Sequence, residues 1–284
     1  MNVEAWATGN PPTQCKSTEL IRTLAIQDKQ DLGPESSCMN DSPAGRVISG
    51  EPRVLAIVPA YNEAGSLPTL IAVLKSRYPQ YDVAVINDGS TDDTAEAVRR
   101  SGVRLVSLPC NLGIGGAVQT GFRIARDEGY DVAVQVDGDG QHPADQVHLV
   151  VSSLLETGAD IAIGSRFLGG DGYQSTLSRR MGIRFFSRWL SAICHTRITD
   201  ATSGFRAINR RAIELLADEY AEDYPEVEAV LVAHRAGLRI CEVPVQMAAR
   251  TTGSSSIGGL RSASYMVKVS LAILMAALRK RPAR

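Results

Sequence analysis

The chain is short of aromatic residues, net charge, paired cysteines and long apolar runs. Aromatics make up 5% of its 284 residues, which argues against a stacking platform for single-stranded nucleic acid. Lys and Arg number 30 against 31 Asp and Glu, giving a net charge of −1, so no field that would attract nucleic acid is implied. The five cysteines (Cys15, Cys38, Cys110, Cys194, Cys241) are odd in number, scattered and without C-x-x-C spacing. Structural zinc and a disulfide framework are therefore disfavoured, and a reducing cytosol fits. The four histidines (His142, His148, His195, His234) show no ligand spacing, though His142 follows an acidic motif directly. The first thirty residues lack an apolar core of signal-peptide length. Tyr265 to Leu278 is apolar except for Lys268 and Ser270, but about 14 residues fall short of the roughly 20 that span a bilayer. This segment ends in Arg279-Lys280-Arg281 and has two readings: an interfacial helix with its basic residues at the headgroups, or a helix packed on the domain or on another chain. No repeat of 20–50 residues is present.

Residues Met1 to about Glu51 are polar, rich in Ser, Asp, Asn and Pro, and without periodicity, which predicts a disordered tail with one short apolar patch, Leu20 to Ile26. From Arg53 the pattern changes. Strands are predicted over Val54–Val58, Asp82–Ile86, Val103–Leu108, Asp131–Val136 and Asp160–Gly164. Helices are predicted over Ala64–Arg77, Thr91–Arg100, Leu112–Glu128 and from Pro143 to Glu156. This alternation implies an α/β fold with a mostly parallel central sheet covered by helices on both faces. Beyond Arg166 the alternation stops. A loop (Gly169–Ser178), a helix (Arg179–Cys194), a short segment (Thr202–Ile208), helices near Arg210–Leu216 and Pro225–Ala236, and a strand (Arg239–Val245) follow.

The chemistry concentrates where strands end. The fourth strand runs into Asp137-Gly138-Asp139-Gly140-Gln141. At period two, both carboxylates can point into the crevice beyond the strand's carboxyl end. Such hard oxygens suit a divalent cation that takes its remaining ligands from a diphosphate. The competing reading is a solvated Asp-Gly turn. The first strand runs into Pro59-Ala60-Tyr61-Asn62-Glu63 and the second into Asn87-Asp88-Gly89-Ser90-Thr91-Asp92. Ser90 and Thr91 are also placed to cap the helix that follows. Three such loops on one edge favour a ligand site over three separate caps. Asn111 to Ala117 is glycine-rich, but the third glycine of a dinucleotide fingerprint falls on Val118 and the segment follows the third strand, so a dehydrogenase is disfavoured. Those glycines either admit a nucleotide or pack a helix close to the sheet.

The ordered set P-A-Y-N-E, N-D-G-S-T-D, N-x-G-x-G-G-A, D-G-D-G-Q, G-S-R and D-A-T-S-G-F-R (Asp200–Arg206) resembles family 2 glycosyltransferases, nearest to the dolichol-phosphate mannose synthase-like, or polyprenyl-phosphate sugar synthase, branch. The resemblance covers about Arg53 to Arg250. It implies a GT-A fold over residues 52–257, preceded by the tail (1–51) and followed by the apolar, basic helix (258–284). It also implies metal-dependent, inverting transfer of a sugar from a UDP- or GDP-sugar to a polyprenyl phosphate. The alternative keeps the enzyme class with a hydroxyl acceptor in cell-envelope polysaccharide, a glycolipid or a small molecule.

By the same resemblance, Pro59, Tyr61, Glu63, Asp88 and Gly115 bind the nucleotide sugar. Asp137, Asp139 and Gln141 hold Mg²⁺ or Mn²⁺, and Arg166, Arg180 and Arg184 meet the acceptor phosphate. A solvated basic surface is the other reading of Arg180 and Arg184. Glu228 and Glu242-Val243-Pro244-Val245 match later family positions. Where relatives commonly read G-x-S-K, this chain has Gly253-Ser254-Ser255-Ser256, and Arg250 or Arg261 is the candidate replacement for the lysine. Asp200 is read either as a general base or as a residue that orients the Thr202-Ser203-Gly204 turn. The two long apolar spans some relatives carry at the C-terminus are missing. The implied location is cytoplasmic and peripheral at the inner membrane face, with a small membrane-protein partner or a homo-oligomer formed through the C-terminal helix.

Overall fold

A computed structural model describes residues 51–140, 142, 144–168, 177–221 and 225–246, except for the side chains of 177–181. In chain order the elements are β1 (Val54–Ala60), α1 (Leu67–Arg77), β2 (Asp82–Asn87), α2 (Thr94–Ser101), β3 (Arg104–Ser107), α3 (Gly113–Asp127), β4 (Val132–Gln135), α4 (Val147–Thr157), β5 (Ile161–Ser165), α5 (Leu177–Cys194), β6 (Arg206–Asn209), α6 (Arg210–Asp218), α7 (Pro225–Arg235) and β7 (Ile240–Pro244). The strands form one sheet in the order β3-β2-β1-β4-β6-β5-β7. All neighbours run parallel except β6, which is antiparallel to both β4 and β5.

The apolar runs explain the layering. Every residue of β1 is buried, as a central parallel strand covered on both faces requires. Its alternate side chains divide between two cores. Leu55 and Ile57 pack with Ile86, Phe122, Leu216 and Leu231 on one face, while Val54, Ala56 and Val58 pack with Leu67, Ile71 and Leu154 on the other. Burying each such Leu or Ile contributes about 1.5–3 kcal/mol.

Three of the differences from the sequence reading concern the elements around the crevice. First, α1 begins at Leu67 rather than Ala64, because the preceding loop turns sharply at Asn62, whose φ is 55°. The Glu63 carbonyl then accepts the amides of Ser66 and Leu67. Second, α2 begins at Thr94, and neither Ser90 nor Thr91 caps it. The Thr94 amide donates to Asp92 Oδ1 at 3.0 Å, while Ser90 Oγ accepts the Asn62 amide from the neighbouring loop. Third, the short segment before Ile208 is a sheet strand, β6, that fills the slot between β4 and β5. The tail before residue 51, the 253–256 loop and the apolar segment 265–278 lie outside the described residues, as do Arg250 and Arg261.

Candidate active site

The sheet order reverses direction between β1 and β4, which places a crevice at the carboxyl ends of these two strands. Gly138 lies against β1. Its amide donates to the Pro59 carbonyl at 3.2 Å, and a Cβ there would approach the same oxygen to 2.9 Å. Only glycine lets the D-G-D loop pass so close to the first strand. Ser66 Oγ bridges the two loops, donating to the Gly138 carbonyl at 2.6 Å while lying 3.0 Å from Glu63 Oε2.

The second loop is tied to the first in the same manner. The Thr91 amide donates to Asn62 Oδ1 at 2.9 Å and the Glu63 amide to Thr94 Oγ1 at 2.9 Å. Asp92 accepts from Thr94 and from the Ala64 amide. Burial works to raise its pKa, but the Thr94 hydroxyl and amide bonds outweigh it and hold the carboxyl below its ordinary value. Tyr61 projects from this rim, 47% exposed, while Pro59 is buried beneath it.

Asp88 is buried, and its Oδ1 accepts the Leu112 amide at 2.7 Å, directly before α3. Burial pushes its carboxyl up, and the Leu112 and Gly113 amides pull it back. Asp88 thus fastens the second loop to the start of α3. Gly115 and Gly116 are buried in the first turns of that helix.

At the end of β4, Asp137 and Asp139 are half-buried, and Gly138 between them is fully buried. Asp137 is gripped from two sides. Gln135 Nε2 donates to its Oδ1 at 3.0 Å. The Asp137 amide donates to His142 Nδ1 at 2.8 Å, so the imidazole proton belongs on Nε2, which faces Asp137 Oδ2 at 3.3 Å. His142 is itself buried against Phe205, with ring centroids 5.1 Å apart. Gln135 Oε1 is buried without a hydrogen-bond partner among the described residues. The two carboxylates fit a hard divalent cation: both offer oxygen, and carboxylate ligands are ordinarily oriented by outer donors of this kind. No group of three or more acidic, His or Cys side chains able to hold a metal gathers among the described residues. The pair would therefore leave most of a cation's sphere to a phosphate ligand. Gln141, the third expected ligand, lies outside the described residues.

The end of β5 carries the other half of the crevice. Arg166 and Asp200, 34 residues apart, form a buried two-bond fork with Nε to Oδ2 at 2.6 Å and Nη2 to Oδ1 at 2.7 Å. The Arg166 amide and the Thr202 hydroxyl also donate to Asp200. Glu242 on β7 holds this turn from behind by accepting the amides of Thr199 and Asp200. Asp200 is fully buried and accepts four donors. Arg184 is exposed on α5, and the side chain of Arg180 lies outside the described residues. Glu228 sits half-buried on α7.

Sequence reasoning missed three contributors. Gln135 interrupts an apolar run two residues before Asp137, which places it on the same face. That interruption was the readable signal. Arg206, buried on β6, donates to the carbonyls of Ser203 and Ala201. Burial pushes the Glu226 carboxyl up, Arg206 opposes this, and Asp137 adds to it. Nothing local in the sequence marks Glu226, because its neighbours come from other elements.

Residues 55–216 match the family model described as glycosyl transferase family 2. An undecaprenyl-phosphate mannosyltransferase of Micrococcus luteus is 35% identical over 216 residues, covering 73% of this chain and 88% of that protein. A polyprenol monophosphomannose synthase of Mycolicibacterium smegmatis is 29% identical over 232 residues, covering 77% and 86%. Among solved structures, a glucosyl-3-phosphoglycerate synthase from Mycobacterium tuberculosis, in complex with Mn²⁺, UDP and glucosyl-3-phosphoglycerate, superposes with a TM-score of 0.59 at 20% identity over 80% of each chain. The same enzyme with Mg²⁺ and UDP gives 0.60 at 21% identity, covering 80% of this chain and 79% of that one. These superpositions show the fold, which is GT-A.

Proposed function

Since the chain belongs to glycosyl transferase family 2 and is a glycosyltransferase, we propose that it transfers a sugar from a nucleotide-diphosphate donor to a polyprenyl phosphate, with inversion at the anomeric carbon. The observation that carries the donor half is the D-G-D pair at the switch point, with Asp137 held by Gln135 and His142. The acceptor half rests on the relatives, two of which are named for transfer to undecaprenyl phosphate and for polyprenol monophosphomannose synthesis.

The nucleotide sugar lies across the β1–β4 crevice. Tyr61 offers an exposed ring to the base, and the loop of Glu63 and the Asp88 turn form the wall. Asp137 and Asp139 would hold Mg²⁺ or Mn²⁺, which when bound would supply positive charge against the leaving diphosphate. Gln135 and His142 keep the Asp137 carboxylate in one orientation through turnover, which lowers reorganisation during reaction. The acceptor phosphate attacks the anomeric carbon from the face opposite the leaving group. Its second pKa is about 6, so it is already largely anionic at pH 7 and needs no base. Arg184 and Arg180 supply cationic forks for that phosphate. Arg166, paired with Asp200, shapes the turn beside them.

The alternative of a hydroxyl acceptor needs a base, and the four donors on Asp200 disfavour it in that role. A cytoplasmic, membrane-peripheral location follows from a lipid acceptor. No helix among the described residues is long and apolar enough to cross a membrane. The test incubates the protein with UDP- and GDP-sugars, Mn²⁺ or Mg²⁺ and a short-chain polyprenyl phosphate, and reads the anomeric configuration of the product by NMR. A glycosyl phosphate of inverted configuration is expected. Transfer to hydroxyl acceptors alone would overturn the acceptor assignment.

A further inference from the structure

From Gly172 to Thr199 the sequence holds not one Asp or Glu, in a chain that has 31. The helix α5 within this stretch carries four arginines and no acid. It buries one face through Ile183, Phe186, Leu190 and Cys194, spaced for a helix packed on one side. The opposite face presents Arg184 and Arg188, both exposed and one turn apart. Beside them lie Phe185, 53% exposed, and the half-buried Trp189, with ring centroids 6.0 Å apart. These four residues border a groove of about 700 Å³. An exposed Phe and a half-buried Trp, next to arginines that form no ion pair among the described residues, mark an interaction surface rather than an ordinary solvated face.

We infer that this face of α5 docks the enzyme onto a bilayer surface that carries anionic lipid. The inference rests on the proposed polyprenyl-phosphate acceptor, whose chain resides in a bilayer. Charge chooses the occupant. Arginine forks match lipid phosphates, and Phe and Trp settle at the headgroup boundary beside them. A second copy of the chain is a poor fit, because symmetric pairing would set Arg184 and Arg188 against their own counterparts. The chain's own segment 258–284 is also a poor fit, since it holds six basic residues and no acid. The position suits the chemistry, because α5 follows the end of β5, where the Arg166–Asp200 turn bounds the crevice. Docking through α5 would present the crevice to acceptor phosphates at the membrane surface.

The test uses the full-length protein and vesicles of phosphatidylcholine with and without phosphatidylglycerol, in a flotation assay. The wild type is expected to float with the anionic vesicles only and to be released by salt. The Phe185→Ser/Arg188→Glu variant changes two exposed positions and is expected to lose about tenfold or more in vesicle partitioning. It should melt with the wild type and transfer sugar to a soluble short-chain polyprenyl phosphate at the wild-type rate. Equal flotation of variant and wild type overturns the inference. So does equal flotation of the wild type on neutral vesicles, or a wild-type dimer that the substitutions turn into a monomer. Failure of the wild type to use the soluble acceptor would instead sink the acceptor assignment, and the two failures are read in separate arms.

Discussion

Replacing Asp200 with Ala separates an orienting residue from a base. The substitution removes a fully buried carboxylate that accepts from Arg166 Nε at 2.6 Å, Arg166 Nη2 at 2.7 Å, the Arg166 amide at 3.1 Å and the Thr202 hydroxyl at 3.2 Å. It leaves a guanidinium with 9% side-chain exposure that has lost the carboxylate bound to it by two hydrogen bonds. Removing one partner of a buried ion pair costs about 3–5 kcal/mol. For a domain of 150–250 residues, each kcal/mol shifts Tm by about 2–4 °C, so melting should fall by roughly 6–20 °C. Replacing both partners with apolar residues, Arg166→Met/Asp200→Leu, should recover most of that loss, because the uncompensated charge is gone. The assays are urea and thermal unfolding, with turnover measured at a temperature where Asp200→Ala is still folded. Under the phosphate-acceptor mechanism turnover is reduced but present. An Asp200→Ala protein that melts like the wild type, yet has no turnover on polyprenyl phosphate, would refute the reasoning and return Asp200 to the role of base.

Three further outcomes are expected. His142→Phe keeps a ring against Phe205 but removes the acceptor of the Asp137 amide and the donor facing Oδ2. Mn²⁺ affinity measured by electron paramagnetic resonance should weaken by about 10–100-fold, and an unchanged affinity would mean that the imidazole does not orient the carboxylate. Gly204→Ala places a Cβ 2.8 Å from Gln135 Nε2 and 3.3–3.4 Å from the Asp137 oxygens. The overpacking should cost about 1–3 kcal/mol in urea unfolding and weaken Mn²⁺ binding in parallel, so wild-type values in both would count against the close packing. Asp92 is held below its unfolded pKa of 3.8, so its stabilisation is full above that value and is lost as pH falls through its lowered folded pKa. Asp92→Asn should flatten this limb of a urea-midpoint-against-pH curve, and an unaltered acid limb would assign it to other carboxylates.

The central strands were legible because β1, β2, β4 and β5 are short, apolar, rich in β-branched residues and bounded by turn residues. The acidic loops were legible for a related reason: in a parallel sheet with helical crossovers, the strand ends share an edge. β6 was harder to read. Four residues, Arg-Ala-Ile-Asn, carry no periodicity long enough to reveal a strand, and its reversed direction follows from the slot it fills. Pairings across the fold were also hidden. Arg166 read as a phosphate ligand and Asp200 as either base or brace, yet the two bind each other across 34 residues of sequence. Asp88 read as a nucleoside contact, and its Oδ1 is engaged by the amide that precedes α3. In each case the residue type signalled chemistry, while the partner was set by packing that no local pattern encodes.

The reversed strand also bears on how the molecule is made. Among the described residues, β5 joins the sheet only through β6 and β7, both of which come later in the chain. When β4 emerges during synthesis, the ribbon β3-β2-β1-β4 already has all its members, and the loops after β1 and β2 can close around each other. β5 then emerges with no neighbour to pair with until α5 and β6 have followed. A nascent chain halted after Ser165 would carry a finished β1–β4 edge beside an unpaired strand, a state prone to aggregation. Folding is thereby staged, with the β1–β4 block able to form first and the block that bears Arg166 admitted only when Arg206–Asn209 arrives between them.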